Sequence, residues 1–296
     1  MSYKGIYESS SPNKQLFIFI MLLFLGFLLG NIIGMLGSVV FDAATLTDLQ
    51  NKDTIKSLKF LQAFTAIGIF IFPPIMFWHL TGVSLDFKTV SRQQVLLTGA
   101  IMLLSWPLIN ILSVWNEGIR LPDFLSNLEA WMRSAEAQAM LITEAFLAVD
   151  SLGGLMANLV VIALIPAVGE ELLFRGLIQN GLSKWSGKVH LSIWITAFLF
   201  SAIHLQFLGF FPRFLIGAMF GYIMFWSGSI WLPIVAHFVN NAAAVLLSYF
   251  ILDGRIDRSI ESIGTNEGQG SMLLISCVAL ALLLYVLKQI SLPLKV

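Results

Sequence analysis

The amino-acid sequence predicts an all-α, polytopic membrane protein of about eight transmembrane helices, a number set by how many apolar runs are long enough to cross a bilayer. Three observations carry that prediction. Of 296 residues, 57% are hydrophobic and 11% charged, whereas a soluble domain carries roughly 25% charged residues. The apolar residues gather in long continuous runs, and a hydrocarbon core of about 30 Å takes about 20 such residues at about 1.5 Å of helix rise each. Those runs lack the two-residue alternation of an outer-membrane barrel, so helices must satisfy the backbone in lipid.

In order, the expected spans are 16–41, 58–79, 95–115, 155–179, 189–208, 211–226, 231–251 and 272–287. The first exceeds the roughly 7–15 apolar residues of a signal-peptide core and no small-residue cleavage pattern follows it, so it reads as a retained span. Gly26, Gly30 and Gly34 recur in it at every fourth residue, a small-residue stripe on which a neighbouring helix can pack closely. Trp78, Trp115, Trp185 and Trp231 fall near span ends, where amphipathic rings sit at the headgroup level. The single cysteine, Cys277, lies in the last span and excludes an intrachain disulfide or a multi-cysteine metal site.

Three longer connections, 42–57, 116–154 and 252–271, fall on one side of the membrane under this assignment. Segment 116–154 sets Leu125, Leu128, Trp131 and Met132 beside Glu129, Arg133 and Glu136, the pattern of an amphipathic interfacial helix that acts as a lid or a tether. Short connections bearing Lys88, Arg92, Lys184 and Lys188 place both termini in the cytoplasm, on the rule that basic short loops stay inside. With no repeat or composition shift, the chain reads as one integral membrane domain, 1–296, with its motif-bearing core at about 155–251. The charge balance of 17 basic and 17 acidic residues lacks the basic footprint that nucleic acid requires. The expected partners are the lipid bilayer and a membrane-associated protein or peptide, and the oligomeric state is unspecified.

Chemistry concentrates where ionisable residues enter apolar runs. Ile165 to Gly176 contains Glu170, Glu171 and Arg175, each costing about 2.5–3.5 kcal/mol at a helix centre on insertion scales, so they should face a protein interior or a wet cavity. Glu171 precedes Arg175 by four residues, the favourable order for an ion pair on one helix face, while Glu170 points elsewhere. Pro166 should bend or interrupt the helix one turn earlier. Separate spans add Phe200 with His204, and His237 with Asn241, each pair four residues apart. One embedded histidine is usually a packing residue; two histidines with a carboxylate pair form an acid–base constellation. His79 and His190 fall at span ends and read as interfacial, and Asn240 is a second candidate partner for His237.

Glu-Glu-x-x-x-Arg at 170–175, Phe-x-x-x-His at 200–204 and His-x-x-x-Asn at 237–241 together resemble the three-motif signature of the CAAX-protease and bacteriocin-processing (CPBP, ABI-type) family of intramembrane peptidases. The resemblance implies a membrane-embedded endopeptidase and covers residues 170–241; earlier residues match it only in general character. With it, Glu170 is expected to act as general base on a water, with His204 helping to bind or activate that water. His237 and Asn241 are expected to hydrogen-bond the oxyanion, and Glu171, Arg175 and Phe200 to support. Serine catalysis is less attractive, because Ser201 stands near His204 without a nucleophile-elbow pattern.

No obligatory cofactor is expected. If a metal is used, zinc is the candidate, and Glu170, His204 and His237 would be its three ligands with a fourth position open. There is no His-Glu-x-x-His pair, and oxyanion donors cannot also ligate an ion. The rival readings are a non-enzymatic bacteriocin-immunity-type membrane protein and a proton-coupled transporter; the latter predicts inverted repeats, which the sequence does not display. The resemblance places the enzyme in a bacterial plasma membrane.

Overall fold

A stripe of glycines sets the contact between the first two helices, α1 (Pro12–Val40) and α2 (Lys52–Thr81). A Cβ on Gly26 would lie 1.9 Å from the Gly68 carbonyl oxygen, and one on Gly30 would lie 2.5 Å from that of Phe64. Gly34 and Gly37 continue the approach against Leu61 and Phe60, so the backbones meet as the spacing predicted. Gly68 lies in a π-helical turn, Ile67–Ile71, just before Pro73 and Pro74, where missing N–H groups disturb the regular ladder. The computed structural model describes residues 5–266 and 268–291; the two chain ends, and with them the expected position of the termini, lie outside these.

The expected third span is broken. α3 (Arg92–Leu104) and α4 (Trp106–Glu117) meet at a 40° bend at Ser105, beside Pro107, which cannot continue the α3 ladder. α5 (Ser126–Leu147) is the amphipathic helix expected in the long connection. It is tied down at both polar and aromatic positions. Glu129 accepts from the Leu121 N–H (2.8 Å), Arg133 (2.8 Å) and Arg120 (3.0 Å). These bonds, the Leu121 N–H first, hold the Glu129 carboxyl down from its ordinary 4.5 to about 2. A depressed carboxyl stabilises above its unfolded value, so this anchor is in place at neutral pH and is lost as the pH falls toward about 2.

α6 (Leu152–Ser186) runs 35 residues with two π-helical stretches, Leu159–Leu164 and Leu172–Gln179. α7 (Val189–Ala202), α8 (Phe210–Ser227), α9 (Trp231–Leu252) and α10 (Gly270–Ser291) complete the order. Ile101 and Met102 of α3, Phe220 and Ile223 of α8, Leu232 and Ala236 of α9 and Leu280 and Leu287 of α10 form one buried cluster. Leu172 and Leu177 of α6 meet Leu85, Met224 and Ile234 in another. Outer faces of α1 and α10 remain apolar and exposed, for example Phe17, Phe24 and Ile32, and Leu274, Ile275 and Leu282, as surfaces against lipid must be.

Among the described residues, six helices are long and apolar enough to span, and the bent α3–α4 pair makes a seventh. The expected fifth span, 189–208, is shorter than its apolar run: α7 ends at Ala202 after 14 residues, about 21 Å of rise against a core of about 30 Å. Leu205 takes a left-handed φ of 53°, which turns the chain out of the helix although the run stays apolar to Leu208.

The glycine contact makes the first prediction. Gly30→Leu should lower stability by about 1–3 kcal/mol or more through overpacking, measured by thermal unfolding in detergent. Gly181→Ala, a helical position whose Cβ would meet nothing within 4 Å, should hold or gain stability.

Candidate active site

Pro166 and the π turns of α6 determine how the polar residues are displayed. In a regular α-helix the Ile162 carbonyl would accept from the N–H of residue 166, and proline has none. That carbonyl instead accepts from Asn241 Nδ2 of α9 at 3.1 Å, tying the motif helices together at their polar face. Asn240 Nδ2 donates to Asn241 Oδ1 at 3.1 Å, so both asparagines weighed as partners of His237 belong to one amide pair.

One turn further, Glu171 Oε1 accepts from Arg175 Nη1 at 2.8 Å and from His237 Nδ1 at 2.9 Å. A carboxylate can only accept, so Nδ1 carries the proton and Nε2 is turned the other way. There it faces Glu170 Oε2 at 4.0 Å. Glu171 therefore orients His237. It also follows that His237 can donate to an oxyanion only when its ring carries both protons.

Arg175 is fully buried, as is Glu171. Its second nitrogen donates to the Gly217 carbonyl of α8 at 2.8 Å. Its guanidinium lies 4.6 Å from the centre of the Phe200 ring and 5.3 Å from that of Phe220, a cation held between aromatic faces. Phe200 presents its edge to His204 and to His237, and the His237 ring stacks on Phe220 with 5.3 Å between centres. Phe200 is thus a spacer between two imidazoles and a charge. Its carbonyl accepts from His204 Nδ1 at 2.8 Å; a carbonyl only accepts, so in the neutral ring His204 Nε2 carries the lone pair.

Glu170, His204, His237, Asn240 and Asn241 line one cavity of about 480 Å³. Glu170 is 8% exposed, and its buried Oε2 has no hydrogen-bond partner among the described residues. Gln62 of α2 and Ser113 of α4 also reach this cavity, so helices before the motifs contribute to its wall. His79 lies outside it and is exposed, and His190 meets the Tyr222 hydroxyl at 3.1 Å. The Ser201 hydroxyl donates to the Phe210 carbonyl at 2.7 Å, which occupies it structurally. Among the described residues no three His, Cys, Asp or Glu side chains stand close enough to share an ion. Glu170, His204 and His237 therefore do not form a ready zinc site.

Sequence reasoning passed over Arg213, which lines the same cavity and is held by Gln206 through its carbonyl (3.3 Å) and Oε1 (2.9 Å). The signal was present: an arginine inside an apolar run is as costly as the glutamates that were singled out. α5 braces the turn that carries Gln206. Glu136 accepts from the Leu208 N–H at 3.1 Å, and the Trp131 and Phe207 rings lie 5.4 Å apart. Asn116, at the end of α4, donates to the Phe207 carbonyl (3.0 Å) and accepts from the Phe211 N–H (2.7 Å).

These features define a polytopic helical membrane protein with a polar cavity walled by residues of separate helices. Residues 152–243, a little under a third of the chain, match the family model described as type II CAAX prenyl endopeptidase Rce1-like. Among curated proteins, the "Uncharacterized protein YpbD" of Bacillus subtilis (strain 168) is 28% identical over 89 residues, covering 29% of this chain and 42% of that protein. No solved structure matches the chain.

The buried pair makes the second prediction. Glu171→Ala leaves Arg175 charged without its carboxylate and should cost about 3–5 kcal/mol, whereas Glu170→Gln, whose buried Oε2 has no hydrogen-bond partner among the described residues to lose, should cost far less. Denaturation of the two purified variants in the same detergent measures the difference.

Proposed function

We propose that this protein is an intramembrane endopeptidase that hydrolyses a peptide bond of a membrane-associated protein or peptide by direct attack of water. The observation that carries the proposal is Glu170: a carboxylate with one buried, unpartnered oxygen, on the wall of a cavity that it shares with two histidines and an asparagine pair. A buried polar atom without a partner needs an explanation, and a general base kept free for water supplies one.

In this reading Glu170 takes a proton from water while the water oxygen bonds to the scissile carbonyl carbon, whose π electrons move onto its oxygen. His204 Nε2, bearing the lone pair, accepts a hydrogen bond from the same water. The oxyanion lies against the remaining Asn241 N–H and, when the ring is doubly protonated, His237 Nε2–H. Collapse of the tetrahedral species breaks the C–N bond, and the proton held by Glu170 passes to the leaving amine. No acyl-enzyme forms, and Glu171, Arg175 and Phe200 act by positioning His237 and His204.

No step is routed through a metal, since among the described residues no three His, Cys, Asp or Glu side chains stand close enough to share an ion. The whole chain is taken as one functional domain with its core at about 155–251, because Gln62 and Ser113 help wall the cavity. We place the enzyme in a bacterial plasma membrane, with its short basic connections on the cytoplasmic side.

The test is cleavage of a library of membrane-adjacent peptides by the purified protein. Glu170→Ala, His204→Ala and His237→Ala should each abolish cleavage, and Asn241→Ala should lower kcat by about 10²–10³-fold, the usual loss for one oxyanion donor. Equal cleavage by wild type and all variants would remove the assigned site. Activity lost to a chelator and restored by zinc would overturn the metal-free mechanism and leave the protease reading standing.

A further inference from the structure

A second polar cavity, of about 640 Å³, lies away from the motif residues, where α2 begins, α6 begins and α9 ends. Lys52, Lys56 and Lys59 of α2 all line it, at the i, i+4, i+7 spacing that puts them on one helix face. The two outer lysines already have carboxylates: Lys56 meets Asp53 at 2.8 Å and Lys52 lies 3.7 Å from Asp150. Asp253, also on the wall, is paired with Arg255. Lys59 differs. It is 9% exposed, and among the described residues no carboxylate or hydrogen-bond acceptor meets its ammonium; the Phe146 ring, 5.6 Å away, is its one compensating contact. Burying an ammonium without an anion is expensive.

Opposite the lysines is the first turn of α6. Ser151 caps it by accepting the Gly154 N–H at 3.1 Å, and Gly153 leaves open space on the cavity wall, with no atom within 4 Å of where a Cβ would stand. A helix N-terminus beside lysine ammonium groups is a setting for phosphate, through its partial positive charge and unpaired N–H groups. Much of the remaining wall is apolar, including Ile55, Val149, Ala157 and Leu252. The site lies at the ends of spans, the depth of a headgroup.

We propose that this cavity binds a phosphate-bearing anion, with the Lys59 ammonium as its central contact and the start of α6 as the second. A glycerophospholipid headgroup and free phosphate share that chemistry; the apolar wall suits the glycerol and upper acyl region of the former. The site is independent of the protease reading, because none of its residues lines the motif cavity.

The test uses the full-length protein in uncharged detergent, with phosphatidylglycerol, phosphatidylcholine and inorganic phosphate as separate probes at matched ionic strength. Thermal shift and lipid retention in native mass spectrometry are the readouts. Phosphatidylglycerol retained and stabilising, with inorganic phosphate inert, identifies a lipid site; stabilisation by inorganic phosphate, and its competition with the lipid, identifies the phosphate group as sufficient. Lys59→Met should weaken binding by about tenfold or more, as expected for losing a charged hydrogen bond, and Lys59→Arg should restore part of it. Lys184→Met, at an exposed lysine outside the cavity, should leave it unchanged. Should Lys59→Met fail to fold, Gly153→Leu, which fills the cavity and keeps every charge, should weaken binding similarly. Equal retention of both lipids with no effect of phosphate, or unchanged binding by Lys59→Met or Gly153→Leu, would overturn the proposal.

Discussion

Arg175 holds its charge where no solvent reaches it, and the arrangement of the motif helices follows from how that charge is balanced. Glu171, four residues before it, accepts one guanidinium N–H, the Gly217 carbonyl of α8 takes another, and Phe200 of α7 and Phe220 of α8 cover the faces. Glu171 has a lone pair left for His237 of α9. One ion pair on α6 therefore reaches three other helices. In lipid, where apolar faces gain little by meeting one another, such polar contacts and close packing decide which helices associate. The same contacts aim His237 Nε2 at Glu170, so the bonds that assemble the bundle also set the geometry of the cavity.

Backbone irregularity supplies the rest. A π turn and Pro166 release the Ile162 carbonyl from the regular ladder of α6, and Asn241 takes it. At α7 the left-handed Leu205 ends the helix early and folds the segment carrying Gln206 back toward Arg213. α5, outside the spans, holds that turn through Glu136 and Trp131. The amphipathic helix is thus mechanically joined to the wall that bears His204, which makes it a tether in this structure.

How much of this was legible in the sequence differs by the range of the interaction. The i, i+4 pairing of Glu171 with Arg175 and the packing face of Gly26, Gly30 and Gly34 are properties of one helix, and spacing alone exposed them. Convergence of Glu170, His204, His237 and Asn241 was suggested by the costs of burying polar groups and by the family resemblance. The choice of Glu171 over Glu170 as the partner of His237 was not legible, because it depends on how α6 and α9 are rotated against each other. Hydropathy overstated α7, since a left-handed leucine in an apolar run leaves no compositional trace. It also read 95–115 as one span although Pro107 marked the break, and it overlooked Arg213, whose charge inside a span was as visible as those of the glutamates.

The account's central claim is that Glu171 couples α6 to the histidine of α9, and a double-mutant cycle measures that coupling without reference to substrate. Unfolding free energies of wild type, Glu171→Gln, His237→Ala and the double variant should show non-additivity of about 1–3 kcal/mol, as for residues of one buried network. Additivity within about 0.3–0.5 kcal/mol, the behaviour of independent sites, would contradict it.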